Sequence, residues 1–424
     1  MNSHPLLQLA REIIITVPTS LVPTGPAGIL FWVVMFLVWL QYRKMASMEE
    51  KIHGFVSNNP WYHTATAAVY GIVGGVMGSF FMVLGGVTIQ QQDIIFLWPV
   101  ALGLMLISPR LLCFSYAAGL VSFSHLMIGW PSNINVASIM ALVAILHLME
   151  GMLVRISGHQ VSSPVYVQRP GDNKREPVGA YLLQRFWPIP IMVVFFLQIP
   201  PEAMGEAVDM PRWWPLIDIA SPLGEGWARV IIPVVAALGY SDIAITESPR
   251  QRARRSAVNL WIFSVVLMGL SLAATRDLMF AWAAAVFAPL GHEAMVRHGN
   301  QREMKGEPEF VSPEDGVRIM ALQPGGCGEQ LGLHHGDVVL AVNGESVSSR
   351  QEMEAAISES DLTALTVRRH DQQQCRIIRA RHRCTADNLQ VITAPEPGDK
   401  KHVDINNPGF IIRWLRKIVA RFQN

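Results

Sequence analysis

The chain has 424 residues, half of them apolar and only 16% charged, against roughly 25% charged in an average soluble domain. Together with a mean hydropathy of +0.28, this excludes both a single water-soluble globule and a disordered chain, because disorder needs an apolar-poor, charge-rich composition. A net charge of +1 excludes a globally basic nucleic-acid binder, and four cysteines do not make a disulfide scaffold at this length.

Long apolar runs fill the first three hundred residues, at 21–40, 65–89, 94–107, 111–128, 134–154, 186–199, 227–245, 257–274 and 278–291. Several reach the ~20 residues that cross a ~30 Å hydrocarbon core, and the shortest read as buried, re-entrant or tilted pieces. The N-terminus lacks the basic start, short apolar core and small-residue cleavage site of a secretory signal. The expectation is a polytopic α-helical membrane bundle of about eight to nine helices over residues 1–295.

Lys and Arg set the orientation. Arg43, Lys44 and Lys51 follow the first run; Arg155, Arg169, Lys174, Arg175 and Arg185 precede 186–199; Arg250, Arg252, Arg254 and Arg255 precede 257–274. The loop 200–226 instead carries Glu202, Glu206, Asp209, Asp218 and Glu225 with Arg212 alone. Nine alternating spans then give an external N-terminus and a cytoplasmic C-terminal region, in a bacterial plasma membrane. Cys327, Cys375 and Cys384 are accordingly expected as free thiols. Trp213-Trp214-Pro215 with Trp227 reads as an outer aromatic belt. Gly71, Gly74, Gly75 and Gly78 crowd one run, and the Gly74/Gly78 pair reads as close packing inside this chain's own bundle rather than as a dimer face.

After a linker at 296–312 the pattern becomes that of soluble protein, with a small α/β unit at 313–383. Val317–Ala321 reads as a strand, Pro324-Gly325-Gly326 as a turn, and Glu329-Gln330-Leu331 as a short helix stopped by Gly332. A second strand at Val338–Val342 runs into Asn343-Gly344, the pair that a type I′ hairpin favours because both central positions need positive φ. Ser349 and Glu352 read as a capping box on a helix that carries Met353 and Ile357. Strands at 362–368 and 375–380 follow.

This order, with the string Gly332-Leu333-His334-His335-Gly336-Asp337-Val338-Val339-Leu340-Ala341-Val342-Asn343-Gly344, resembles a bacterial-type PDZ domain. The resemblance implies capture of peptide segments of other proteins by β-augmentation. It maps the carboxylate loop to Asp315, Gly316 and Val317, the receiving strand edge to Val317, Arg318 and Ile319, and the facing apolar side chains to Met353 and Ile357. Glu314 and Asp315 beside that loop disfavour a free C-terminus and favour an internal or basic peptide. In the alternative reading Val317, Ile319, Met353 and Ile357 are simply core.

A polar linker at 384–407 leads to a basic amphipathic helix at 408–424. There Arg413, Arg416, Lys417 and Arg421 share one arc while Trp414 and its apolar neighbours fill the other, a pattern suited to anionic lipids at a membrane surface. Docking on a partner protein is the rival reading.

A PDZ unit on a membrane protein raises the possibility of an intramembrane zinc protease, which needs His-Glu-x-x-His on one helix. Here His292-Glu293 is followed by His298, whose ring points about 240° around the helix from that of His292. Asn407-Pro408-Gly409 lacks the Asp of such proteases and lies outside any apolar run. His147 and Glu150, three apart in one run, read as an internal hydrogen-bonded pair, with ion or metal binding and an interfacial helix end as the alternatives. Pro188, Pro190 and Pro233 interrupt runs as the broken helices of transporters do, but no inverted repeat accompanies them. No enzyme activity, cofactor or metal is expected, and no nucleic acid.

The order of many spans and then a C-terminal PDZ unit, with Tyr42-Arg43-Lys44-Met45, Met48-Glu49-Glu50-Lys51 and Leu183-Gln184-Arg185-Phe186-Trp187-Pro188-Ile189-Pro190, resembles the MinJ-type membrane PDZ proteins of Gram-positive bacteria. The resemblance implies a non-enzymatic scaffold at septa and poles, linking a DivIVA-type scaffold to a MinD-type ATPase in division-site placement. The zinc protease and the transporter, each with a regulatory PDZ unit, are the alternatives.

Overall fold

Helix starts follow local chemistry. Asn59 accepts from the N–H groups of Trp61 and Tyr62 ahead of Pro60, and Ser248 with Gln251 forms a capping box around Pro249. The computed structural model describes residues 5–56, 59–169, 176–200, 202, 208–218, 227–369, 375–380 and 384–399. Helix α1 (Pro5–Thr19) leads into α2 (Pro26–His53) and α3 (Pro60–Ser79), which a π turn extends to Leu84. Strand β1 (Thr88–Gln90) and helices α4 (Gln91–Ile107), α5 (Phe114–Ile128) and α6 (Val136–Ser157) come next. After them run β2 (Ser162–Val167), β3 (Val178–Gln198) and β4 (Trp227–Ala244), then α7 (Pro249–Ala274) and α8 (Leu278–Lys305). Among the described residues, five helices are long and apolar enough to cross a membrane, namely α2, α3 with its π extension, α6, α7 and α8; α4 and α5 are apolar but shorter.

Two of the nine apolar runs are not helices, which corrects the expected helix count. Residues 186–199 and 227–245 fall in β3 and β4, an antiparallel pair in continuous register from Tyr181↔Ala244 to Gln198↔Trp227. Hydropathy alone does not separate a buried strand from a buried helix. The β-branched content does (Ile189, Ile191, Val193 and Val194 facing Val230, Ile231, Ile232, Val234 and Val235), as do the internal prolines.

A strand among apolar helices must satisfy every main-chain group without water. Residues 184, 186, 188, 190 and 192 of β3 alternate along the edge turned away from β4. The N–H groups of Gln184, Phe186 and Met192 donate to Val161 O (3.2 Å), Tyr42 OH (3.2 Å) and Ser79 Oγ (2.8 Å). Pro188 and Pro190 have no N–H to satisfy. Pro233, paired with Met192, turns its nitrogen outward in the same way. Pro188 and Pro190 therefore sit where a strand edge meets α3, and none of the three prolines is a break in a transmembrane helix.

The glycines of α3 lie against that edge. A Cβ on Gly71 or on Gly75 would stand 2.1 Å from Pro188 O or Pro190 O, while Gly74 faces Leu153 and Gly78 faces Ile191 and Met149. The small-residue face therefore packs inside this chain's own bundle. Fully buried Arg185 donates to Thr66 Oγ1 (2.9 Å) and lies over the rings of Tyr42 and Tyr70. At the base of the hairpin Arg252 pairs with Asp242 (2.7 Å) and Glu303 (3.6 Å), and Glu303 accepts the N–H groups of Ile245 and Thr246. That network ties β4 to α7 and α8.

The C-terminal unit contains β5 (Val317–Leu322), α9 (Cys327–Gln330), β6 (Val338–Val342), β7 (Glu345–Ser346), α10 (Arg350–Glu359), β8 (Ala364–Arg368), β9 (Cys375–Arg379), α11 (Ala386–Leu389) and β10 (Val391–Thr393). Its sheet order is β10-β5-β6-β8-β9, with β7 paired to β6. Asn343 and Gly344 both have positive φ, 52° and 93°, as the hairpin requires. Ser349 accepts from Glu352 N (3.2 Å), but the Glu352 carboxylate caps Ser348 N (2.7 Å) instead of closing the expected box.

Two boundaries are corrected. The segment 384–407 is not all linker, since β10 completes the sheet beside β5. Nor is 296–312, because α8 continues to Lys305 and Phe310 is buried. Cys327 and Cys384 meet as a disulfide-competent pair with Cα atoms 6.1 Å apart, a pairing the sequence reading did not expect, while Cys375 is exposed and free. The helix expected at 408–424, with Arg413, Trp414, Arg416, Lys417 and Arg421, lies outside the described residues.

The sheet unit docks on the base of the hairpin. Gly179 N donates to Phe310 O (2.8 Å), Tyr181 OH to Met320 O, and Tyr166 OH to Thr393 O (2.8 Å). Met320 and Ile392 share one apolar cluster with Tyr166, Tyr181 and Phe310.

Candidate peptide-binding site

β-augmentation needs a strand edge with free main-chain groups. The edge expected at Val317-Arg318-Ile319 is closed on both sides, which corrects that assignment. Val317 and Arg318 pair with Val339 and Val338 of β6, and the other side of β5 pairs with β10 through Leu322↔Val391, Ala321↔Ile392 and Ile319↔Thr393. The register skips Met320, a bulge that releases its carbonyl to Tyr181.

The expected loop also has a different task. Gly316 takes φ +84° with a Cβ position 2.5 Å from Val339 O, so only glycine fits against β6. Asp315 accepts both arms of the Arg368 guanidinium at 3.0 Å, and these hydrogen bonds hold its carboxyl below the usual carboxylate range. Burial lowers the Arg318 guanidinium, which donates to Glu309 O. Val317, Ile319, Met353 and Ile357 are all buried in one cluster with Leu365, Val367 and Leu389. These four are core, and Asp315 is an exposed ion-pair partner. The Gly-Asp of the motif is structural as well: buried Asp337 accepts His334 N (2.9 Å) and Arg369 Nη1 (2.6 Å).

Beyond β5 the sheet ends in β10, whose Ile392, Thr393 and Ala394 are buried. Gln390 O accepts from Gln323 N, and Ala394 N donates to Arg318 O (2.8 Å), so these residues face β5. Main-chain alternation then turns the groups of Val391 and Thr393 outward. Before the strand, Gln390 takes the left-handed conformation (φ 51°) that a tight entry loop needs. After it, Glu396 accepts from Arg350 N and Asp399 pairs with Arg350 (2.7 Å), tying the exit of β10 to the start of α10. One outward carbonyl, Thr393 O, is taken by Tyr166 of the hairpin sheet. Sequence reading missed this edge because Val391-Ile392-Thr393 is short and its partner strand lies some seventy residues earlier.

A second group of chemically capable side chains stands among the membrane-length helices. Cys113 Sγ lies 3.1 Å from His147 Nε2 and 3.7 Å from His292 Nε2, a grouping able to hold a metal ion. His147 does not form the expected pair with Glu150; its other nitrogen meets Val143 O (2.8 Å). The aromatic belt is also rearranged. Trp213 and Trp227 remain exposed, but Trp214 Nε1 is anchored on Val83 O (2.9 Å).

Comparison with known proteins agrees with the C-terminal geometry: residues 318–369 match the PDZ domain family. No solved structure matches significantly. Over 228 residues the chain is 22% identical to the cell division topological determinant MinJ of Bacillus subtilis (strain 168), covering 54% of this chain and 52% of that protein. The chain thus spans about half the length of the curated relative it matches. It carries a PDZ domain behind a set of membrane-length apolar helices, and it is similar to a bacterial determinant of cell-division topology.

Proposed function

We propose that the protein is a non-enzymatic membrane adaptor in division-site placement, recruiting partner proteins by adding one of their extended segments to the outer edge of β10. The observation that carries this reading is the place of β10 as a terminal strand of the sheet, tied to the start of α10 through Arg350 and Asp399. A hairpin makes two crossings, so β3 and β4 keep the parity that the basic and acidic loops require. Residues 155–185 and 246–256 then share a side, and that side also holds the docked PDZ domain. This supports a cytoplasmic PDZ domain. Candidate partners are those implied by the family resemblance, a DivIVA-type scaffold and a MinD-type ATPase, with the basic tail at 408–424 on anionic lipid.

The test uses the full chain as a fluorescent fusion, with Thr393→Pro as the variant. Proline there removes an outward N–H and leaves the bonds to β5 intact. The native fusion is expected to concentrate at septa and to co-purify partners, and the variant to insert normally but lose them. An unchanged partner set for Thr393→Pro sinks edge recognition; an even distribution of the native fusion sinks the division role.

A further inference from the structure

We propose that Cys113, His147 and His292 form a structural zinc site that pins α5, α6 and α8 together. The argument begins with a count of protons. His147 Nδ1 faces only the Val143 carbonyl, so it carries the proton and donates, which leaves Nε2 with a bare lone pair. Tyr116 OH has one proton and gives it to Glu293 Oε2 (2.8 Å), a carboxylate that also pairs with Arg110 (2.9 Å) and Arg297 (2.5 Å). His292 Nδ1, 3.2 Å from the Tyr116 oxygen, must therefore be the donor there, and its Nε2 is bare too. Two lone pairs and a sulfur converge in a buried place. A thiol proton satisfies one nitrogen and orphans the other, whereas a cation satisfies all three.

The spacing fits that cation. Zinc at about 2.3 Å from sulfur and about 2.05 Å from nitrogen, with tetrahedral angles, sets the sulfur–nitrogen separation at about 3.6 Å. The two observed separations, 3.1 and 3.7 Å, bracket it. Outer contacts are those that orient metal ligands: a carbonyl behind one imidazole, and a tyrosine–carboxylate relay behind the other. Cys113 caps α5 and its Sγ accepts from Ser115 N (3.4 Å), which fixes the sulfur at the helix start facing both imidazoles. Glu150 stands close enough to Cys113 to interact with it electrostatically. The fourth position is left to water or to this carboxylate. The site went unseen in the sequence because its ligands come from three helices, with His147 and His292 separated by 145 positions.

The test takes the full chain in detergent with a non-chelating purification tag. Metal analysis after dialysis is expected to find about one zinc per chain, and cobalt(II) exchanged into the site is expected to show a thiolate charge-transfer band. Cys113→Ser abolishes the band and Cys375→Ser leaves it, which separates the site from the exposed thiol. Tyr116→Phe, which touches no metal, weakens zinc binding about tenfold or more through the orientation of His292. Should Cys113→Ser fail to fold, the native chain still decides: no bound zinc and no thiolate band at saturating cobalt overturn the proposal. A band that persists in folded Cys113→Ser does so as well.

Discussion

Replacing Gly75 by alanine tests the central architectural finding, that a β-hairpin and not a pair of helices occupies the middle of the bundle. The added Cβ falls 2.1 Å from Pro190 O, where ordinary contact begins at 3.4 Å, a shortfall of about 1.3 Å. The obstacle is main chain on both sides, so no side-chain rotation relieves it, and α3 must slide off β3. Overpacking of this kind costs about 1–3 kcal/mol, and a rigid carbonyl puts Gly75→Ala near the upper end. Gly74→Ala is the matched control: its Cβ meets only the Leu153 side chain at 3.2 Å, which turns aside for less than about 1 kcal/mol. Thermal or denaturant unfolding of the full chain in one detergent, followed by tryptophan fluorescence, compares the two. Equal stabilities refute the packing of α3 on a strand edge and bring back a helix at 186–199.

Pro190→Ala is expected to destabilise, although proline-to-alanine changes are often mild within regular structure, because it places an unmet N–H against the glycine face at a cost of about 1–3 kcal/mol in the same unfolding assay. Tyr166→Phe frees Thr393 O, and amide exchange at Ala394 and its neighbours is expected to quicken along with tighter partner capture; unchanged exchange denies that this hydroxyl braces the edge. Alkylation of thiols in intact cells followed by denaturation is expected to label all four cysteines, and mild oxidation of the purified chain to remove two, since Cys327 and Cys384 sit within bonding reach at a Cα separation of 6.1 Å. Two thiols already missing in cells would place the PDZ domain in an oxidising compartment and reverse its proposed orientation. Asn343→Ala is expected to cost about 1–2 kcal/mol, because the Asn343 side chain both accepts Thr363 N (2.7 Å) and donates to Ser360 O (3.0 Å) beyond its turn conformation.

What the sequence revealed depended on how local the determining chemistry was. The PDZ elements from β5 to β9 were readable because their turns are written in neighbouring residues: Gly332 and Gly336 at positive φ, Asn343-Gly344 in the hairpin, Ser349 at a helix start. The hairpin was not. β3 is buried on both faces from Ile189 to Phe196, and Val230 to Val235 of β4 are apolar almost without a break, so neither stretch alternates and both pass for spans. The prolines were the available clue, yet their meaning rests on Gly71 and Gly75, more than a hundred positions earlier. β10 and the Cys113 cluster failed for the same reason, since each is assembled from segments with no signature of their own. Met353 and Ile357 were correctly placed on one helix face, but the identity of the neighbouring strand decided that the face was core.

Strand β3 has 21 residues, about 70 Å at roughly 3.3 Å per residue, more than twice the thickness of a hydrocarbon core. One end stacks Phe196 on Trp227 and the other holds Phe310 and Met320. The PDZ domain is thereby mounted on a girder instead of hanging from a tether. On the proposed adaptor role, that mounting holds the domain at a set height above the lipid and limits it to segments presented at that height.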